Sequence, residues 1–249
     1  PIVSNVIATL GKGDGLVLIP TDPTGLQALN DQAAKKGIAV ANVDTQVGNL
    51  KNVIIQITGD NGDGGAKAAD AIAKAIGYKK GGSYEVVIGL TSPTATTNVG
   101  RQKGFEKQIA SKYPGIEIVD TGYSASNPQR AAANISAWLT QYPDLDGIFA
   151  IDGTNASGAA AALQEKKLTG KVALVGYDAY PDNVAKIKSG IFTALIAQDP
   201  AAEARLAIKT LVKYIKTGVK PAKKSVIIPN VALTNSTSAA DLAKYTYKN

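Results

Sequence analysis

The stretch VALVGYDAYPDN, residues 172–183, runs from an apolar segment through Gly176 to Tyr177, Asp178 and Tyr180, and stops at a proline-broken turn. An apolar run this short, bounded by turn formers, reads as a strand, and one apolar throughout reads as a strand covered on both faces. The acid at its end is what needs explaining. The same design recurs elsewhere: IAVANVD (38–44) ends in Asp44, GIFAID (147–152) in Asp152, and FTALIAQ (192–198) in Gln198.

Other strand candidates are GLVLIP (15–20), VIIQIT (53–58), YEVVIGL (84–90), IEIVDTGY (116–123) and SVIIPNVALT (225–234). Between the strands lie amphipathic stretches at 24–37, 63–77, 99–115, 128–143, 155–167, 181–190 and 200–218, most of them closed by Gly or Pro, the expected helix stops. Regular alternation of strand and helix predicts an α/β fold with doubly wound parallel sheets. The strands outnumber those of one small sheet, so two lobes are expected. In such sheets ligands bind beyond the carboxyl ends of the strands. Asp44, Asp152, Asp178 and Gln198 all stand there, although an isolated strand-end Asp is more often a turn former or helix cap.

Composition narrows the chemistry. The chain has no Cys, His or Met, which removes disulfides, thiolate nucleophiles, Cys/His zinc sites and the commonest general base. No catalytic residue, metal site or cofactor is therefore expected. The absence of Met also means that Pro1 is read as following a cleavage, a truncation or a stretch outside this chain. The net charge is +7, but the Lys residues are spread along the sequence, so a solvated surface is expected rather than a nucleic-acid site. No apolar run reaches the roughly 18 residues of a membrane span, and Pro1-Ile2-Val3 lacks the pattern of a signal peptide.

Seven segments, in order, resemble the periplasmic sugar-binding proteins of bacterial ABC importers, of the ribose-binding type, which share their fold with the sensor domains of LacI-type repressors. These are DGLVLIPTDPTGL (14–26), GIAVANVDTQV (37–47), GDNGDGGAKAADAIAK (59–74), TNVGRQKGFEK (97–107), YPDLDGIFAIDGTNASGAAAAL (142–163), VALVGYDAYPD (172–182) and SGIFTALIAQDP (189–200). The resemblance implies a type I periplasmic binding protein fold: two doubly wound lobes joined by a three-segment hinge, closing over a sugar and delivering it to a membrane permease. It places the crossings near Leu90 and Thr91, Gln198 and Asp199, and Pro229 and Asn230. One lobe is then 1–90 plus 199–229, and the other 91–198 plus 230–249. It also implies a monomer in the periplasm or, lipid-anchored, outside a Gram-positive cell. The family's polar ligand residues carry over to Asp44, Arg101, Asp152, Asp178 and Gln198.

Departures matter too. Thr45 stands where ribose binders have Arg, Asp152 stands where they commonly have Asn, and SASNPQ (124–129) occupies the region of a site aromatic, all of which point away from ribose itself. The family opens with a strand, helix and second strand before the helix of which IVSNVIATLGKG (2–13) is the tail. The chain is accordingly expected to be a fragment with an incomplete first lobe, and the tail NSTSAADLAKYTYKN (235–249) is too short and polar to replace the missing unit.

The residue types suit a polyol. A carboxylate accepts from two neighbouring hydroxyls, Arg donates a fork, and Gln does one of each. Arg101 opens a helix at a motif position, which favours a ligand role over the alternative of an ion pair with Glu106 or Glu117, and Asn98 is first an N-cap candidate and second a ligand contact. Tyr180 is a candidate for stacking on a sugar, whereas Trp138 has core spacing with Ile135 and Leu139. The glycine-rich 59–70 segment lacks a phosphate-loop pattern and reads as a turn capping a helix. A neutral sugar or polyol receptor is the leading reading. A LacI-type effector sensor is the alternative, and a glycoside hydrolase with paired carboxylates a distant one.

Overall fold

The computed structural model describes residues 2–248. Its described residues form two compact units, 2–60 with Thr94–Thr97 and Asp199–Pro229, and Asn61–Pro93 with Asn98–Gln198 and 230–248. Elements in chain order are α1 (Ile2–Thr9), β1 (Gly15–Leu18), α2 (Gln27–Lys35), β2 (Ala39–Val43), β3 (Ile55–Gly59), α3 (Asn61–Ala75), β4 (Tyr84–Leu90), α4 (Thr96–Lys112), β5 (Ile116–Tyr123) and α5 (Pro128–Gln141). They continue with β6 (Gly147–Ala150), α6 (Gly153–Glu165), β7 (Ala173–Tyr177), α7 (Pro181–Lys188), β8 (Ala194–Ala197), α8 (Pro200–Thr217), β9 (Ser225–Ile228), β10 (Val231–Leu233) and α9 (Ala239–Tyr245).

In the first unit the sheet order is β1-β2-β3-β9, all parallel. Every residue of β2 is buried, and its side chains alternate as a pleat requires. Ala39, Ala41 and Val43 pack with Ile55, Ile57 and the Ala207 and Leu211 face of α8. Val40 packs on the other side with Ile7 of α1 and Ala33 of α2.

The second unit holds a six-stranded sheet, β10-β8-β7-β6-β4-β5. One face carries Ile148, Ala150, Leu174, Leu195 and Ala197 against the apolar sides of α5 and α6, and the other carries Phe149, Ile151, Val175, Tyr177 and Ile196 against α3 and Phe105 of α4. Trp138 belongs to the core, as its spacing predicts, 6% exposed with its indole N–H donating to Asp120 Oδ2 at 2.9 Å.

Three details differ from the sequence reading. The first crossing was expected near Leu90 and Thr91, yet β4 pairs with β5 and β6, so α3 and β4 belong to the second unit and the chain leaves the first between Asp60 and Asn61. The run 225–234 is not one strand: it breaks at Pro229 into β9, parallel to β3, and β10, antiparallel to β8, so the second sheet is mixed. Proline cannot donate to a ladder, which is why the run divides there. Finally, of the glycines of 59–70, Gly59 ends β3 and Gly62, Gly64 and Gly65 lie inside α3 rather than in a turn before it. A Cβ on Gly65 would stand 1.9 Å from Arg101 O, so a hydrogen is all that the packing of α3 on α4 admits.

Candidate ligand-binding site

Asp44 and Asp178, the acids that follow β2 and β7, share an uncommon backbone. Both are left-handed, at φ 62° and 66°. In each case the acid's N–H still bonds to the adjacent strand, Asp44 N to Ile57 O at 2.8 Å and Asp178 N to Ile196 O at 2.9 Å. The pairing thus holds the residue at the last ladder position while the chain turns away. A non-glycine residue in this region carries a cost of about 1–3 kcal/mol, and Asp tolerates it better than most because it is short and polar.

On the second unit, Asp178 is the centre of a cluster. Its Oδ1 accepts from Gln198 Nε2 at 2.9 Å and from the Tyr247 hydroxyl at 2.9 Å, and its Oδ2 accepts from Gly153 N–H at 3.0 Å. Gln198 is 9% exposed, and with Nε2 given to Asp178 its Oε1 is buried with no hydrogen-bond partner. An orphaned buried acceptor costs stability, so this oxygen suits a donor brought by a ligand. Tyr180 lies half exposed over the start of α6, where a Cβ on Gly153 would come within 2.1 Å of its ring. Its ring meets Tyr247 edge-on at 5.3 Å between centroids.

Asp152 caps α6. Its Oδ1 accepts from Asn155 N at 3.0 Å, both oxygens accept from Asn155 Nδ2 at 3.0 Å, and Oδ2 also accepts from the Thr91 hydroxyl. Asn98 is not the N-cap of α4, which starts at Thr96. It sits in the first turn, 4% exposed, and its Oδ1 accepts from Thr91 N at 2.8 Å. Asn98 and Asp152 therefore hold the same residue, Thr91, at the end of β4. Arg101 is buried in the second unit. It is 3% exposed, donates from Nε to Asn61 Oδ1 at 2.8 Å and from Nη1 to Ile151 O at 3.0 Å, and lies with Cζ 3.7 Å from the Tyr177 ring centre. Its positive charge reaches the Tyr247 hydroxyl.

The phenol of Tyr247 is pushed above its ordinary pKa by burial first and then by the Asp178 charge and hydrogen bond. It stays protonated and donates to Asp178. Sequence reasoning missed Tyr247 and Asn155 as members of the cluster and took Thr91 only as a hinge or turn residue. Only Thr91 left a signal, as a polar residue next to a strand end.

The first unit carries Asp44 and Thr45. Gln56 donates from Nε2 to Asp44 O at 3.1 Å, and Thr45 is 4% exposed with its hydroxyl 3.3 Å from that of Thr97. The structure thus brings Asn98, Arg101, Asp152, Asp178, Tyr180 and Gln198 to one end of the second sheet, and Asp44 and Thr45 to a strand end of the first. Among the described residues no group of three or more acidic side chains is placed to hold a metal ion.

Comparison with known proteins bears on the family and the fold. The chain is 30% identical over 213 residues to the D-allose-binding periplasmic protein of Escherichia coli, which covers 82% of this chain and 66% of that protein. It spans about two thirds of the length of several curated relatives that it matches. An ABC transporter solute-binding protein from Agrobacterium vitis, solved with α-D-tagatopyranose, is 26% identical with a TM-score of 0.92, covering 100% of this chain and 84% of its own. Another from Agrobacterium radiobacter, solved with D-arabinose, is 29% identical with a TM-score of 0.89, covering 99% and 82%. The family model for the periplasmic binding protein domain matches residues 2–220, and the chain belongs to that family.

Proposed function

We propose that this chain is the ligand-binding part of an ABC importer's solute receptor, which takes up a neutral sugar or polyol and presents it to a membrane permease in the periplasm. The observation that carries this reading is the Asp178–Gln198 pair, in which a carboxylate keeps open acceptor capacity beside a buried amide oxygen with no donor. A carboxylate oxygen can accept twice, and Asp178 Oδ2 accepts once within the protein. Hydroxyl groups satisfy both needs, and each can accept as well as donate. An anionic ligand would instead meet the Asp152 and Asp178 carboxylates. Asp44 and Thr45, at a strand end of the first unit, and Asn98, Arg101, Asp152 and Tyr180, at one end of the second sheet, are proposed as ligand or ligand-holding residues from those positions and from the resemblance of their segments to the family.

The chemistry is binding rather than hydrolysis. Asp152 and Asp178 each accept from a backbone N–H and from side-chain donors, which fixes both as oriented acceptors for a ligand's hydroxyls. Several relatives are import binding proteins, which supports a transport role over that of a repressor's sensor. Isothermal titration with D-allose, D-tagatose, D-arabinose, D-ribose and myo-inositol tests the reading. Saturable binding of at least one, lost in Asp178→Ala, is expected. A folded protein that binds none of them overturns it.

A further inference from the structure

Tyr247 lies beyond α9, in the tail of the second unit, and the tail is fastened there. Ser238 caps α9, accepting from Asp241 N at 3.1 Å, and Leu242 is buried in the core at 7% exposure with Tyr245 and Tyr247 packed against the same cluster. Tyr247 N–H then donates to Ala179 O at 2.9 Å, which sets the tail alongside the turn that follows Asp178. The result is a phenol oxygen 2.9 Å from Asp178 Oδ1, on the same carboxylate oxygen that Gln198 Nε2 reaches.

We propose that Tyr247 is a specificity-determining residue of the Asp178 site, its phenol oxygen accepting a hydrogen bond from one ligand hydroxyl while donating its own proton to Asp178. This rests on the reading of the site as a polyol receptor. A phenol has one proton and two acceptor lone pairs. The proton is committed to Asp178 and the Gln198 amide faces the phenol oxygen from one side, so what that oxygen offers a ligand is its remaining acceptor capacity, and the group it accepts from must be a donor. The chain hydroxyl to phenol to carboxylate aligns three groups in one direction, which strengthens each link. The buried Gln198 Oε1 beside it is the second acceptor in want of a donor. A ligand with two hydroxyls suitably spaced serves both at once. The Tyr180 and Tyr247 rings, edge to face, give that hydroxyl pair an apolar wall.

The test is Tyr247→Phe, which keeps the ring and its packing and removes only the oxygen. Binding of the panel sugars above, and of every monodeoxy analogue of those that bind, is measured by titration calorimetry on wild type, Tyr247→Phe and the control Tyr245→Phe. Expected is a loss of about three- to tenfold in affinity for the parent sugar. One deoxy analogue, lacking the hydroxyl that Tyr247 accepts from, should bind wild type and Tyr247→Phe equally well. Tyr245→Phe should change nothing. An equal loss across parent and all analogues would mean that Tyr247 only positions Asp178, and it overturns the proposal. So does unchanged affinity, and so does tighter binding, which would make the phenol a competitor of the ligand. If wild type binds no sugar the receptor reading falls and this inference with it. If wild type binds and only Tyr247→Phe is silent, this inference alone fails.

Discussion

At Asp178 the usual ranking of glycine and alanine should invert. Asp178→Ala and Asp178→Gly both delete the carboxylate that accepts from Gly153 N, Gln198 Nε2 and the Tyr247 hydroxyl. Three bonds of roughly 0.5–1.5 kcal/mol each, on a half-buried group, make a shared loss of about 2–3 kcal/mol. The two variants then differ only in the backbone. Alanine at φ 66° carries about 1–2 kcal/mol of left-handed strain that glycine escapes. Glycine gives back about 0.5–1 kcal/mol through the extra freedom of its unfolded chain. The balance leaves Asp178→Gly more stable than Asp178→Ala by about 0.5–1 kcal/mol. Ala133, exposed in α5, is the control: Ala133→Gly should be less stable than wild type by about 1 kcal/mol, the normal order. Trp138 is the only tryptophan and lies in the core of the second unit, so its fluorescence during urea unfolding reports on the unit that holds Asp178. An Asp178→Ala midpoint equal to or above that of Asp178→Gly would refute the argument that backbone strain is stored at this strand end.

Further expectations rest on separate contacts. Gly65→Ala and Gly104→Ala put a Cβ within 1.9 Å of Arg101 O and 2.0 Å of Gly62 O, backbone atoms that cannot swing aside, so each should cost roughly 1–3 kcal/mol or more, read from the same Trp138 transition. Asp152→Ala removes the α6 cap at a cost of about 1 kcal/mol, whereas Asp152→Ser should recover most of it in urea unfolding and still bind sugar more weakly, since it lacks the carboxylate. Burial, followed by the hydrogen bond to Asp70 at 2.7 Å, pushes the Tyr113 phenol up to about 12. The folded value lies above the unfolded one near 10, so the stability this group adds is complete below pH 10 and fades as pH rises to about 12. The gap in unfolding midpoint between wild type and Tyr113→Phe should accordingly be constant below pH 10 and close above it, and a gap that does not change with pH contradicts the assigned cause.

Much of the fold was legible because its parts are local. Short apolar runs such as AVANV and ALVGY can be buried on both faces only between helices, and the helices announced their ends with Gly and Pro. The crossing between units was not local. The Gly59-Asp60-Asn61 junction between β3 and α3 has the same residues as any turn from strand to helix, and nothing in its periodicity tells whether the next strand will pair with β3 or begin another sheet. The helix α9 was passed over because one buried leucine among its seven residues makes no apolar stripe, and Ser238 is its only clear mark.

The site divides along the same line. Asp44, Asp152, Asp178 and Gln198 could be found because each ends a strand, a position that sequence does encode. Tyr247 is separated from Asp178 by 69 residues and reaches it through a tail whose path depends on Leu242, Ser238 and a single backbone bond to Ala179. Strand ends supply the groups that any ligand of this sheet must meet, and they are common to every chain built this way. What distinguishes one ligand from another falls to residues brought in from outside the strand-helix repeat, where spacing carries no information. That is why the polar strand ends could be found from the sequence, while Tyr247, the proposed discriminator among ligands, could not.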